Sequence, residues 1–158
     1  MAEQKKATKE PQKGSGKRIA VIRIRGLVEV RHDFKKTMEL LRLHTKNICI
    51  VLQDTTQNRG MVEKVKDYVT YGEIDDATFD MLVQKRGEEY VGRVKDNHDK
   101  IDYDGRYFEV NKKKYKKFFR LNSPKKGFGR KGIKKAFSQG GALGNRGEKI
   151  KDLIDRMI

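Results

Sequence analysis

A run of 38 residues without a carboxylate is the feature that most constrains how this chain can fold. Between Val110 and Gly147 there are thirteen lysines and arginines and no aspartate or glutamate, within a chain of formal net charge +16. Residues 19–109 hold sixteen basic and seventeen acidic side chains, so the excess charge lies outside a nearly neutral body. Because like charges repel, such a segment is unfavourable unless a polyanion compensates it. The composition therefore indicates a nucleic-acid partner.

The length of 158 residues suits one domain with an appended arm. Ordering the acid-free stretch costs on the order of 40–80 kcal/mol at about 1–2 kcal/mol per residue, so we expect it to need its partner. No apolar run is long enough to cross a membrane, and the first residues carry no apolar signal region, which predicts a cytoplasmic protein without a membrane partner. The single cysteine excludes an internal disulfide.

Hydrophobic periodicity predicts an α+β fold. The alternation in residues 19–25 predicts a strand with one buried face and with Arg23 and Arg25 on the other, exposed face. The elements expected after it are a helix capped by Asp33, a strand at 47–52, a helix capped by Asn58 or Thr56, a strand at 69–71, and a helix capped by Asp75 and ended by Gly87. This β-α-β-α-β-α order predicts a small sheet with helices on one face.

Composition divides the chain into five segments. They are a disordered basic tail (1–17), the β-α-β-α-β-α core (18–87), an insertion with a hairpin turn at Asp104-Gly105 (88–110), a basic arm rich in glycine and aromatic residues (111–147, the basic segment), and a C-terminal helix (148–158). In the last segment Ile150, Leu153, Ile154 and Met157 recur at helical spacing, so we expect this helix to dock back on the body.

The basic segment has the chemistry of an RNA-binding surface. Lysine and arginine neutralise phosphates, aromatic rings stack on unpaired bases or anchor the segment to the protein, and glycine lets the backbone approach a strand closely. On the body, Arg59-Gly60 is expected at the start of a helix, where free amides can bind phosphate. The residues expected to contact RNA are Lys17, Arg18, Arg23, Arg25, Arg59, Gly60, Lys112, Lys113, Lys116, Lys117, Arg120, Lys125, Lys126, Gly127, Phe128, Arg130, Lys131, Lys134, Lys135 and Arg146.

Motifs for catalysis or cofactor binding fail on their context. Residues 127–132 fit the glycine pattern of a dinucleotide site, but no strand precedes them. Residues 14–17 resemble the end of a phosphate-binding loop, yet they come before their strand. Cys49 lies in an apolar strand, where a core role is expected. The sequence therefore predicts no enzyme, no cofactor, no metal and no small-molecule substrate.

Three sequence blocks resemble the ribosomal protein L30 family of the large subunit, in its longer archaeal and eukaryotic form. They are MELLRL (38–43) with Asn47; NRGMVEKV (58–65), YVTYGEI (68–74) and residues 86–87; and FRLN (119–122) with Pro124, residues 127–128, 132–134, GGALGNRG (140–147), 153–154 and 156–157. The likeness covers roughly residues 18–158, and the third block is the most specific. The short N-terminal tail is typical of archaeal members.

The resemblance implies a ferredoxin-like core and a structural role in the large ribosomal subunit. Its partners would be large-subunit rRNA and neighbouring ribosomal proteins, with the chain present as a monomer within the ribosome. A ribosome-assembly factor on the same core and a free-standing RNA-binding protein are the alternatives. An assembly factor would be missing from purified mature subunits.

Overall fold

The computed structural model describes residues 17–95 and 104–158. Its strands are β1 (Arg18–Arg23), β2 (Ile48–Gln53), β3 (Val69–Ile74), β4 (Tyr107–Val110), β5 (Lys113–Lys116), β6 (Phe119–Arg120) and β7 (Gly144–Asn145). Its α-helices are α1 (His32–Leu40), α2 (Thr56–Lys64), α3 (Asp76–Arg86) and α4 (Ile150–Met157). A five-stranded sheet has the order β6-β2-β1-β3-β7, in which only β7 pairs parallel, with β3. The predicted α+β class and its ferredoxin-like core are confirmed.

Helices cover both faces of the sheet, so the prediction of helices on one face is wrong. On one side Val21 packs in a cluster with Met38 of α1 and Val62 of α2. On the other side Ile22 packs with Leu82 of α3 and with the buried face of α4. Strand β1 lies at the centre of the sheet and is buried from its second residue onward. The alternation in its sequence therefore separates two cores rather than a core from solvent.

Two helices begin earlier in the sequence than predicted, so Asn58 and Asp33 lie inside α2 and α1 instead of capping them. Helix α2 begins at Thr56 because Thr55 is its cap, with the Thr55 hydroxyl accepting the Asn58 N–H at 3.3 Å. Asn58 is therefore inside the helix. Asp33 lies in the first turn of α1 instead of capping it. Asp75 and Gly87 flank α3 as predicted.

The hairpin of the insertion is displaced from its predicted position. Residues Asp104–Arg106 form a 3-10 turn that leads into β4, rather than the turn of a hairpin. The observed hairpin joins β4 to β5, and its turn residues Asn111 and Lys112 have φ angles of 50° and 64°. Residues 101–103 of the predicted hairpin and residues 1–16 of the predicted tail lie outside the described residues.

The basic segment is part of the fold, more fully than its composition indicates. It supplies β6 and β7, the two edge strands of the central sheet. The Phe119 side chain is 1% exposed, and Leu121, Ala142 and Leu143 are also buried. Helix α4 docks against the sheet with Ile150, Leu153, Ile154 and Met157 fully buried, which confirms its prediction. Within residues 17–95 and 104–158, no helix has the length and apolar character needed to cross a membrane.

Candidate nucleic-acid interface

Helix α4 fixes the start of a cationic loop, residues 125–135, which we call the basic loop. The last turn of a helix leaves carbonyl groups without partners in the helix. Here the N–H of Asn122 donates to the Met157 carbonyl at 2.9 Å, and the N–H of Lys125 donates to the Arg156 carbonyl at 3.0 Å. The Arg156 guanidinium in turn donates to the Gly127 carbonyl at 3.0 Å. The chain therefore leaves the helix end in a fixed direction.

Close backbone contacts hold the far side of the basic loop. The Lys131 N–H donates to the Gly140 carbonyl, and the Ala142 N–H donates to the Lys135 carbonyl at 2.9 Å. A Cβ atom on Gly141 would lie 2.2 Å from that same Lys135 oxygen, so only glycine fits without a shift of the backbone. The loop is a folded structure on which the cations have defined positions.

Arg146 joins the parts of the basic segment from inside the protein. Its Nε donates to Thr70 Oγ1 at 2.9 Å, and its Nη2 donates to the carbonyls of Phe128 and Ala142 at 3.1 Å each. Its Cζ lies 4.5 Å from the centroid of the Phe137 ring, and the residue is 7% exposed. Burial, with a smaller contribution from the positive charge of Arg156, lowers the pKa of Arg146 to about 10. We assign Arg146 to the scaffold of the interface rather than to its surface.

Six cations of the basic loop project to solvent without a carboxylate partner among the described residues. They make up six of its eleven residues, and all are exposed: Lys125, Lys126, Arg130, Lys131, Lys134 and Lys135. Lys112, at the turn between β4 and β5, is likewise exposed and has no carboxylate partner among the described residues. Since nothing within the described ranges neutralises them, these side chains form the part of the surface best suited to phosphate groups.

Several cations that precede the basic loop are paired with carboxylates of the same chain. Glu88 accepts from Lys116 at 2.7 Å and lies 3.2 Å from Nε of Arg120, while Glu89 lies 3.2 Å from Lys113. The hydrogen bond from Lys116 is the main cause that lowers the pKa of the Glu88 carboxyl. A phosphate would have to compete with these carboxylates for the same donors.

Most of the body residues that were predicted to contact RNA form bonds within the protein instead. Arg23 is 2% exposed and donates to the carbonyls of Leu43 and His44 at 2.7 and 2.6 Å, so the expectation of an exposed Arg23 is wrong. Burial lowers the pKa of its guanidinium. These bonds tie the end of β1 to the loop after α1.

Arg59 and Gly60 do not lie at a helix start. They are the fourth and fifth residues of α2, and the Arg59 N–H already donates to the Thr55 carbonyl at 2.9 Å. The Arg59 guanidinium contacts the carboxylates of Asp54 and Glu73, and the bond to Asp54 raises its pKa. The predicted phosphate site of free amides is therefore wrong.

The three remaining body cations lie at the surface. Lys17 pairs with Glu73 at 3.7 Å, and Arg18 pairs with Asp76 at 3.0 Å. Arg25 instead donates to a backbone carbonyl of Asp67 at 3.2 Å and borders a cleft that Lys66 and Lys134 also line. Arg25 is thus the predicted body residue that is continuous with the basic loop.

Four aromatic residues of the basic segment are half-buried and Phe119 is in the core, so the ring faces are used mainly for anchoring. Phe128 packs against two hydrophobic clusters, and Phe137 lies beneath Arg146. Lys117 and Gly127 are exposed, and Gly127 adopts a φ of 75°. Lys66, which follows α2, and Arg156 of α4 were missed by the sequence reasoning, because each reaches the interface only through tertiary packing.

The family model for ribosomal protein L30p/L7e matches residues 19–69. A protein of Nanoarchaeum equitans named large ribosomal subunit protein uL30 is 44% identical over 152 residues, covering 88% of this chain and 97% of its own length. Proteins of the same name from Methanococcus maripaludis and Methanopyrus kandleri are 44% and 42% identical, covering 88% and 85% of this chain and 98% and 100% of their own. Because these relatives are matched over 85% or more of this chain, the matches extend beyond the family model into the basic segment.

Proposed function

This chain belongs to the ribosomal protein L30p/L7e family, and we propose that it is a structural constituent of the large ribosomal subunit that binds and stabilises folded large-subunit rRNA. The relatives that span nearly its whole length carry the name of a large-subunit protein. Its partners are then rRNA and the neighbouring ribosomal proteins, and its place is the cytoplasmic ribosome, where it acts as a monomer. It performs no turnover in this role.

The observation that carries the proposal is the row of solvent-facing cations on the basic loop. The six cations in these eleven residues are exposed and pair with no carboxylate of the described chain, so their charges repel one another and do not stabilise the protein. Phosphates supply the missing charge, and counterions released from the RNA drive binding. The buried Arg146 and the end of α4 hold the loop in shape before RNA arrives, which reduces the entropy lost on binding.

The binding test replaces four of these cations together. The variant K125A/K126A/R130A/K131A should bind large-subunit rRNA more weakly, and its log–log salt slope should be shallower by about 3 because each phosphate contact contributes about 0.7–0.9. The matched control K36A/K64A/K85A/K151A removes the same charge from four exposed lysines, one on each α-helix. If both variants lose affinity and slope equally, net charge rather than the basic loop explains binding.

The location test distinguishes a ribosomal constituent from an assembly factor. Mass spectrometry of salt-washed mature large subunits should find the protein in equal amount with other subunit proteins. Its presence on precursor particles and absence from mature subunits would assign it to assembly instead.

A further inference from the structure

A second cationic surface, the Arg42 cleft, lies apart from the basic loop in the chain. It has a volume of about 330 Å³, and no residue of the basic loop lines it. The residues that line it are Arg42, His44, Tyr90, Arg106, Lys116 and Phe118. Of these, only Lys116 was expected from the sequence to contact RNA. The cleft therefore brings together four basic side chains and two aromatic rings from four separate parts of the chain.

Backbone carbonyls fix the position of the Arg42 guanidinium. Arg42 follows α1 with a φ of 58°, and its Nη2 and Nη1 donate to the carbonyls of Gly105 and Arg106 at 2.6 and 3.3 Å. A carbonyl orients a guanidinium without neutralising its charge, and further N–H donors remain on the group. No carboxylate among residues 17–95 and 104–158 pairs with Arg42. The group is therefore a positioned cation in the lining of the cleft.

Phe118 supplies an aromatic ring to the lining of the cleft. It is half-buried and packs against the core cluster of α1 and α2, so its ring has a fixed position. The Lys116 Nζ and the Arg120 Cζ lie 5.8 and 5.7 Å from the ring centroid. Glu88 pairs with both of these cations and leaves Arg42 unneutralised. Phe118 is thus an aromatic ring that already has two cations at cation–π distance.

We propose that the Arg42 cleft binds one unpaired nucleotide of RNA, with the base stacked on Phe118 and its phosphate bound by Arg42. This inference rests on the proposed function, because the basic loop supplies most of the affinity for the RNA. Base stacking on an aromatic ring and phosphate binding by a guanidinium are the two interactions that single-stranded nucleic acid requires. The excess of positive charge favours RNA over a peptide as the occupant, since a neutral peptide would leave Arg42 desolvated and unpaired.

The test compares two RNA probes with the full-length protein. One is a continuous RNA duplex, and the other is the same duplex interrupted by a bulge of unpaired adenosines. The variant Phe118→Leu keeps an apolar side chain against the core and removes the ring. It should lower affinity for the bulged probe by roughly 5- to 150-fold, the range for loss of one stacking ring, and leave affinity for the duplex unchanged.

A second variant covers the case in which Phe118→Leu fails to fold. Arg42→Asn removes a guanidinium that is only partly buried, and asparagine tolerates the positive φ angle that this position requires. It should also lose affinity for the bulged probe selectively. The matched control is Phe34→Leu, which removes a half-buried ring that contacts Tyr68, outside the cleft. It should bind both probes like the unmodified protein.

The outcomes separate this inference from the proposed function. Selective loss with the bulged probe in every cleft variant that folds supports the inference. Unchanged binding of both probes, or equal loss with both, in a folded cleft variant overturns it and leaves RNA binding by the basic loop in place. If the unmodified protein binds neither these probes nor large-subunit rRNA, the proposed function fails as well.

Discussion

Replacing Arg146 tests whether the basic segment is built around a buried guanidinium. The variant Arg146→Met keeps much of the apolar volume but removes the donors to Thr70 Oγ1 and to the carbonyls of Phe128 and Ala142. Arg146→Lys keeps the charge, but an ammonium cannot reach three acceptors that a planar guanidinium spans. Both variants should therefore lose stability.

The expected loss follows from two opposing contributions. Hydrogen bonds from a charged donor are worth about 1.5–3 kcal/mol each, so three give roughly 4–9 kcal/mol. Burial lowers the pKa of Arg146 from the ordinary value of arginine to about 10, which corresponds to about 3 kcal/mol that a neutral side chain regains. The net loss for Arg146→Met is then about 1–6 kcal/mol, a large share of a total stability of about 5–15 kcal/mol.

Urea unfolding followed by far-UV circular dichroism measures this loss directly. The control Arg130→Met removes an exposed guanidinium without a partner among the described residues, and should change stability by no more than about 0.5 kcal/mol. RNA affinity should show the opposite order, with Arg130→Met losing more affinity than Arg146→Met, since Arg130 belongs to the surface. Full stability of Arg146→Met, together with lost RNA affinity that Arg146→Lys restores, would refute the scaffold assignment and make Arg146 a phosphate contact.

Two further predictions concern titratable groups. Because the Lys116 ammonium lowers the pKa of Glu88 below its ordinary value of 4.5, the pair stabilises the fold above that pH and the contribution is lost as the pH falls through the lowered pKa. Glu88→Gln should therefore reduce stability near neutral pH and have little effect in acid; an equal loss at every pH would contradict this assignment. Burial raises the pKa of Cys49 to about 12, so the native protein should react with a thiol reagent at about pH 8.5 far more slowly than the urea-unfolded chain. Equal labelling rates would show that β2 opens to solvent.

Local patterns predicted the elements whose stability depends on neighbouring residues in the chain. The spacing of Ile150, Leu153 and Ile154 defines one face of a helix whatever it packs against, and the structure buries that face. Asp75 and Gly87 likewise stand at the two ends of α3 as predicted, although the Asp75 side chain makes no cap hydrogen bond and Gly87 has a φ of −67°. Such patterns predict structure correctly because they do not depend on where the rest of the chain lies.

Long-range pairing explains what the sequence could not predict. Arg23 reads as an exposed residue because its acceptors, the carbonyls of Leu43 and His44, are twenty or more residues away. Glu88 neutralises cations 28 and 32 positions later, so counting charges could not separate paired from unpaired lysines and arginines. Whether each surface cation contacts RNA stays a prediction that the binding experiments address.

The attachment of residues 122–125 to the end of α4 has a consequence for synthesis of the chain. The basic loop is translated before the helix whose terminal carbonyls accept its N–H groups. During that interval the basic loop of the nascent protein lacks its hydrogen bonds to α4, in a cell that is rich in polyanions. The loop can adopt its final conformation only after α4 has formed. Formation of the last turn of α4 is therefore the step that fixes the conformation of the loop.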